Sequence, residues 1–292
     1  MPDDPRQRVW IRRSGRAIDI RHGHVVIDGL NVDGLWHGNA QIDADGRFVD
    51  PSRNDQWVSG TNGIIRIVQD ARHVTLRNGE VRNNQRHLIR VHGSHVLLEN
   101  MRIHHAIARV NGSATPQVGR VTGDEYFNDA HGIVASHAFG LSVRRTHIGQ
   151  VSGDCVQLER SPWGEFLVEN SLLEIAPLEQ PVLDLAADVW FGEDLFDTKT
   201  PDRGRNGAAF NAGVTFRGNV LRGTRYSRIQ HGAVLNLKEG VENILLEGNR
   251  IHDNRMALRL REPTRGYAIR KNLFYDNARE HFAVFEILDQ HH

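Results

Sequence analysis

Hydrophobic and polar residues alternate along this chain in short runs, and the runs recur. The frame is an alternating strand, then Asn or Gly, then another aliphatic residue. It reads HVTLRNGEV at 73–81, HVLLENMRI at 95–103, GLSVRRTHI at 140–148, EFLVENSLL at 165–173, GVTFRGNVL at 213–221, NILLEGNRI at 243–251 and GYAIRKNLF at 266–274. The first two copies start at 73 and 95, 22 residues apart, and the last two at 243 and 266, 23 apart. The wider gaps between suit one or two repeats with insertions. Alternation of period two puts every second side chain on one face of a strand. No stretch carries the period of a long amphipathic helix.

A second short strand precedes each copy: Ile64–Val68, Leu88–His92, Ile133–Ser136, Val156–Glu159, Leu195–Lys199, Leu235–Lys238 and Leu258–Arg261, with Val284–Leu288 closing the chain. Two or three short strands in some twenty residues is the arithmetic of a parallel β-helix, whose coils bury an apolar face only by stacking. A β-sandwich spaces its strands at about 8–12 residues, and propeller blades repeat at about 40. The chain is therefore read as all-β, a parallel β-helix solenoid with loop insertions. Asn78, Asn100 and Asn170 fall at its turns, where Asn tolerates left-handed backbone and can bond along a ladder. The stretch 1–60, with Trp10, Trp36 and Trp57, is less regular and is read as an N-terminal cap with the first coils; 61–292 is one continuous helix. Two segments break the period, 106–128 and 174–212. Loops on a rigid scaffold commonly build a site, though either segment can also be a plain insertion.

Composition narrows the function. The chain has 292 residues, ample for a core without disulfides, and Cys155 is its single cysteine. Lys and Arg number 36 against 36 Asp and Glu, without the basic excess of a protein that holds nucleic acid by phosphate attraction. No apolar run approaches the 18 or so residues of a membrane span. The opening MPDDPRQRVW has no apolar core of a signal peptide.

Stacking coils about 4.8 Å apart turns sequence positions into columns. On the outward face of the second strand set, one column reads Arg66, Arg90, Val134, Gln157, Asp197, Asn236, Arg259 and Glu286. Two residues on, the next reads Val68, His92, Ser136, Glu159, Lys199, Lys238 and Arg261. Lys199, Lys238 and Arg261 would form a cationic ladder, and like charges directly opposed are destabilising. An anion must face them: an intrinsic one (Glu159, Asp197, Glu239 or Glu262) or a linear polyanion lying across the coils. The plain alternative is a solvated, salt-bridged face. Acidic residues also gather before these strands: Asp129 near His131, then Asp154, Glu193 and Asp194, with Asp197 following. His131, Asp154 and Asp194 are equivalent positions. Converging hard oxygens suit Ca²⁺; turn chemistry also accounts for Asp after Gly. The 17 His show no paired zinc spacing, and there is no GxSxG, P-loop or dinucleotide fingerprint.

With the coil frame, the segments GEDLFDTK, GAVLNLKEGVENILLEGNRI and MALRLRE resemble the right-handed parallel β-helix superfamily of pectate lyases, nearest its alginate lyase and chondroitinase B-like branch. That resemblance implies a single-stranded right-handed solenoid, a strand-end Lys as base, an Arg one coil later as acid, and Ca²⁺ neutralising a substrate carboxylate. Lys238 in LNLKEG takes the Lys position and Arg261 in LRLREP the Arg position; Lys199 in FDTKTP is a rival base. The branch's acidic and Asn ligand pattern is missing from the coil before Lys238. Pectate lyases with a strand-borne Lys and an Asp cluster are also similar, and imply Asp154, Asp194 and Asp197 as Ca²⁺ ligands. The resemblance further implies a secreted or periplasmic protein.

The expected reaction is β-elimination on a uronate-containing polysaccharide. A base takes the proton α to the carboxylate, and cations stabilise the enolate-like charge. Lys serves as base if neighbouring cations depress its pKa. Arg259, Asn236, Glu159, Gln157, His92 and Arg90 line the same face as substrate contacts, with His131, Tyr226 and His231 beside it. A C5-epimerase needs much the same groups. A β-helix hydrolase needs two or three carboxylates, and its paired Asp is absent, since GDC stands at 153–155 where GDD would. A glycan-binding β-helix without catalysis is the remaining alternative. The partner in each case is an acidic polysaccharide, not nucleic acid or membrane.

Overall fold

The computed structural model describes residues 9–13, 16–37, 40–42, 48–49, 63–84, 86–106, 130–159, 162–175, 192–199, 211–227, 232–238, 240–261, 265–278 and 282–285. Trp57, Asp129, His231, Glu239, Glu262 and Glu286 lie outside them, as do most of the two period-breaking segments.

Among the described residues each coil has three strands, and the strands stack into three parallel sheets. Sheet I holds the preceding strands: Ile18–Ile20, Ile65–Ile67, Ile89–Val91, Ile133–Ala135, Val156–Leu158, Phe196–Thr198, Ala233–Leu237, Met256–Arg261 and Phe282–Phe285. The recurring frame splits at its Asn or Gly into two strands. Its first half forms sheet II, from Val25–Asp28 through Arg72–Arg77 and Gly164–Glu169 to Arg265–Arg270; its second half forms sheet III, from Trp10–Arg12 to Leu273–Tyr275. A short antiparallel sheet, Trp36–His37, Ala40–Ile42 and Phe48–Val49, leaves the solenoid near its start. The architecture is the parallel β-helix that the sequence period implies.

The split between sheets II and III has one cause. Asn78, Asn100, Arg145, Asn170 and Lys271 occupy the same place in successive coils with φ between 46° and 56°. Asn adopts this left-handed conformation most readily among residues with a side chain. Asn100 Nδ2 also donates to Asn78 Oδ1 at 2.7 Å, the ladder bond expected there. The next residue of each coil points inward and builds a second ladder: Thr146 N–H donates to Ser171 Oγ, Ser171 N–H to Asn219 Oδ1, and Asn219 N–H to Asn249 Oδ1. Buried polar groups are thereby satisfied along the axis. Between the ladders lies an aliphatic core with Phe166, Phe196 and Phe216 in ring contact.

Sheet II carries two further columns on its outward face. One alternates in charge at every coil: Asp28, Arg77, Glu99, Arg144, Glu169, Arg217, Glu247, Arg270. Ion pairs link it, including Arg77–Asp28 at 2.9 Å, Arg217–Glu247 at 3.2 Å and Arg270–Glu247 at 2.9 Å. Beside it runs a column of alternating bulk: Val26, Thr75, Leu97, Ser142, Leu167, Thr215, Leu245, Ala268.

The register of sheet I matches the expected columns with one correction. Arg66, Arg90, Val134, Gln157, Asp197, Asn236 and Arg259 are partners in turn. Arg259 then pairs with Ala283, not Glu286. The closing strand is Phe282–Phe285, two residues earlier than the Val284 start that the sequence suggests.

Candidate functional site

The outward face of sheet I is shielded in its middle coils. Gln157, Asp197 and Asn236 point outward, yet each is buried, as is Val134. Polar groups withdrawn from water must find partners or hold unmet bonding capacity.

The entry edge of the sheet has a repeating solution. Each coil places an acceptor side chain under the backbone of the next. Asp154 N–H donates to His131 Nδ1 at 2.7 Å, Asp194 N–H to Asp154 Oδ1 at 3.0 Å, and Ala233 N–H to Asp194 Oδ1 at 2.6 Å. His131 therefore accepts at Nδ1, and its ring stacks on His87 with centroids 4.9 Å apart. Gly153 makes this possible, since a Cβ there would sit 2.6 Å from His131 Nδ1. Turn and edge chemistry thus accounts for one oxygen of each of Asp154 and Asp194. Their other oxygens are spent differently. Asp194 Oδ2 accepts from Asn236 Nδ2 at 2.9 Å. Asp154 Oδ2 is buried and has no hydrogen-bond partner.

Asp197 sits at the centre. Its Oδ2 accepts from Lys199 Nζ at 2.5 Å and from Lys238 Nζ at 2.8 Å. The cationic ladder is met by an intrinsic anion. Glu159 is not that anion; it lies 3.6 Å from the Arg90 guanidinium. Asp197 Oδ1, Gln157 Oε1 and Asn236 Oδ1 are buried without hydrogen-bond partners, on three consecutive coils.

The charges act on one another. Burial, then Asp197, Glu193 and Asp194, pushes the Asp154 carboxyl well above the usual range. Burial, then Asp197, pushes Asp194 up to about 7, against the Ala233 and Asn236 hydrogen bonds. Burial pulls the Lys199 ammonium down, but Asp154 and Asp197 outweigh it and hold its pKa above the ordinary lysine value. Neighbouring cations therefore do not depress Lys199: the groups nearest it are carboxylates. Burial, then His87 and Lys199, keeps His131 neutral.

The remaining residues divide. Arg90 Nε donates to His92 Nε2 at 2.8 Å, so His92 presents its Nδ1–H to Ser136 Oγ at 2.7 Å. That tautomer points the wrong way for His92 to activate Ser136 as a nucleophile. Lys199 and Lys238 each follow their strands by one residue, as expected. Tyr226 ends a 3₁₀ turn, Thr224–Tyr226, and is 43 % exposed with Arg225 beside its ring. Arg261 ends its strand opposite Phe285. Glu193 donates its backbone N–H to Gly153 O at 2.9 Å. The sequence reading missed Thr198, which faces inward and accepts the Lys238 N–H on Oγ1 at 2.8 Å, and His87. The glycine at 132, 153, 192 and 232, just ahead of successive sheet I strands, was the available signal for this packed edge.

Among the described residues no three His, Cys, Asp or Glu side chains are grouped to hold a metal ion. Four buried oxygens on this face, Asp154 Oδ2, Gln157 Oε1, Asp197 Oδ1 and Asn236 Oδ1, accept no hydrogen bond, and oxygen is the donor type a hard cation takes.

No family model matches the chain, and no curated protein matches it. Solved structures do. The Dettilon tailspike protein matches at 13% identity over 89% of this chain and 50% of its own, with a TM-score of 0.49. This chain thus spans half of that tailspike. Endopolygalacturonase I from Stereum purpureum matches at 8% identity over 92% of this chain and 88% of its own, TM-score 0.47. A mannuronan C-5 epimerase A-module from Azotobacter vinelandii matches at 10% identity over 92% and 70%, TM-score 0.38. Each is a likeness of coil and sheet at low identity. Among the described residues no helix is long and apolar enough to cross a membrane.

Proposed function

We propose that this chain is a polysaccharide lyase acting on a uronate-containing polysaccharide, with its reaction centre at Lys238. One observation carries the reading: the Lys199 and Lys238 ammoniums share Asp197 Oδ2 on a face that also holds four unpartnered buried oxygens. Cations at coil spacing suit a chain of carboxylates, and the buried oxygens suit a hard cation between them.

The two lysines take different roles. Lys199 is held protonated by Asp154 and Asp197, so it suits neutralising the substrate carboxylate. Lys238 is ion-paired with Asp197 at 2.8 Å. It becomes a base once that partner is drawn elsewhere. Asp154, Glu193, Asp194 and Asp197 would hold Ca²⁺, with Gln157 and Asn236 adding neutral oxygens. When bound, Ca²⁺ would screen a substrate carboxylate and offset the negative charge around the lysines. Lys238 Nζ takes the α-proton, the C4–C5 double bond forms, the C4–O4 bond breaks, and the leaving oxygen receives a proton from Lys199 or Arg261. Asn236, Gln157, Arg259, Arg90, His92 and Glu159 extend the binding face along the coils, with His131 packed beneath it. This reading carries with it a secreted or periplasmic location.

A hydrolase is the second reading, favoured by the raised pKa values of Asp154 and Asp194 beside an ion-paired Asp197, the acid–carboxylate contrast that glycoside hydrolysis uses. The test is ultraviolet absorbance during incubation with a panel of polyuronates and glycosaminoglycans, with and without chelator. A new unsaturated chromophore supports elimination. New reducing ends without it would replace the lyase by the hydrolase.

A further inference from the structure

The outward face of sheet II plays no part in the lysine site. We infer that it is an interface between two copies of this chain, packed face to face with solenoid axes antiparallel and related by a two-fold axis that runs along the strands.

The first ground is the charge ladder. It has eight rungs and alternates at every one. Read backwards, an even alternating series changes sign at each position. A two-fold axis along the strands, midway between the Ser142–Arg144 and Gly164–Glu169 strands, lays the ladder on its own reverse. Asp28 then meets Arg270 of the second copy, Arg77 meets Glu247, Glu99 meets Arg217, and Arg144 meets Glu169. Opposite charges meet on every rung, seven of the eight side chains already oriented by ion pairs within their own column and Glu99 by Arg145.

The second ground is independent, because it concerns bulk. Stacking within one solenoid accepts Leu over Leu, so alternation of Leu with Thr, Ser or Ala answers no need inside the chain. Under the same two-fold axis, Val26 meets Ala268, Thr75 meets Leu245, Leu97 meets Thr215 and Ser142 meets Leu167. A larger side chain opposes a smaller one on every rung, as tight packing between facing sheets requires. A two-fold axis along the solenoid instead sets Leu on Leu and Thr on Thr, and carries the charge ladder away from its counterpart.

The face is available. Val26 is 61 % exposed, and the other positions of its column are half-buried by their own sheet or exposed. Eight strands about 4.8 Å apart and two outward columns about 6.8 Å apart give roughly 500 Å² a copy. That lies below the common size of specific interfaces, so the dimer is weak and forms reversibly.

Sedimentation velocity over a wide concentration range reads the association. The wild type is expected to move from monomer to dimer as concentration rises. Leu97→Thr opens a gap and Thr215→Leu overpacks, each weakening association about tenfold. Together, L97T and T215L exchange bulk across the same rung and restore it. These positions face solvent in the monomer, so melting temperature checks that the fold is unchanged. Orientation is read by cross-linking under mild oxidation, since native Cys155 is buried. Thr75→Cys with Leu245→Cys links two copies, whereas T75C alone does not. A wild type that stays monomeric throughout, a swap that fails to restore association, or T75C linking as well as the pair would each overturn the inference.

Discussion

Asp197 and Lys238 lie on neighbouring coils of sheet I, Oδ2 to Nζ at 2.8 Å, and Lys199 claims the same oxygen. A single buried carboxylate therefore keeps two ammoniums together. Replacing it with Asn removes the anion and leaves the cations facing each other in a shielded site. Asp197→Asn is expected to cost about 3–5 kcal/mol, the scale for breaking a buried pair. Lys199→Met in the D197N background returns part of that loss. Urea denaturation of the four proteins reads both numbers; an additive pair would contradict the shared-anion account.

The packed edge gives a steric prediction. A methyl at Gly153 would meet His131 Nδ1 at 2.6 Å and Cε1 at 2.7 Å. Gly153→Ala should cost about 1–3 kcal/mol by overpacking. Removing the ring in G153A/H131A should recover some of it, although Asp154 N–H then loses its acceptor. Chemical denaturation of the single and double variants measures the coupling.

Much of this was readable from residues 60–290. The coil period, the three left-handed Asn positions and the register of Arg66 through Arg259 all follow from alternation plus stacking. What escaped is the direction in which polar atoms pair across coils. Spacing places Asp197 beside Lys199 and Lys238, but cannot tell whether an intrinsic carboxylate or a ligand faces the lysines. It cannot show that Asp154 Oδ1 is occupied by a neighbouring N–H while Oδ2 is left over. The last strand slipped because the all-apolar FAVF carries no alternation that fixes its register, whereas VFEIL does. The charge ladder of sheet II was visible in the same alignment of copies, one residue before each left-handed turn position.

That ladder should respond to salt. Glu169→Arg places three arginines in succession, since Arg144 and Arg217 flank it. These groups are substantially exposed, so the cost is about 1–2 kcal/mol at low ionic strength and shrinks as salt is added. Thermal melts at low and high salt check it. Glu169→Gln should cost less than half as much.

The internal ladder should respond to truncation. Asn249 Oδ1 accepts from Asn219 N–H at 2.9 Å, and Asn249 Nδ2 donates to Phe216 O at 2.9 Å. Asn249→Ala leaves a buried N–H and a buried carbonyl unpaired, for about 2–4 kcal/mol. Hydrogen exchange at the Asn219 amide should accelerate most.

Acid should weaken the fold in two windows. Burial, then Arg90, His137 and Arg66, holds His92 down at about 4. Its folded pKa lies below the ordinary value near 6.5, so the unfolded chain binds more protons between them and stability falls as pH drops from about 6.5 to about 4. Glu80 behaves as a depressed carboxylate. Burial raises it, but the His104 hydrogen bond and the charges of His104, Arg82 and Arg102 bring it down to about 2. Its contribution is present above the usual carboxylate range and is lost as pH falls towards 2. His92→Gln should make the first window shallower and leave the second; His87 and His131, also held down by burial, keep part of it, and Asp194, raised to about 7, opposes it.

The most direct test of the central claim compares Lys238→Ala with Lys199→Ala on whichever polyuronate yields the unsaturated product. The initial rate of absorbance increase is the measurement, with substrate binding followed by calorimetry. A base at Lys238 predicts that K238A lowers the rate by about 10²–10⁴-fold while binding persists, and that K199A weakens binding more than turnover. Elimination at near wild-type rate in K238A would contradict the account and move the reaction centre away from the Asp197 ion pair.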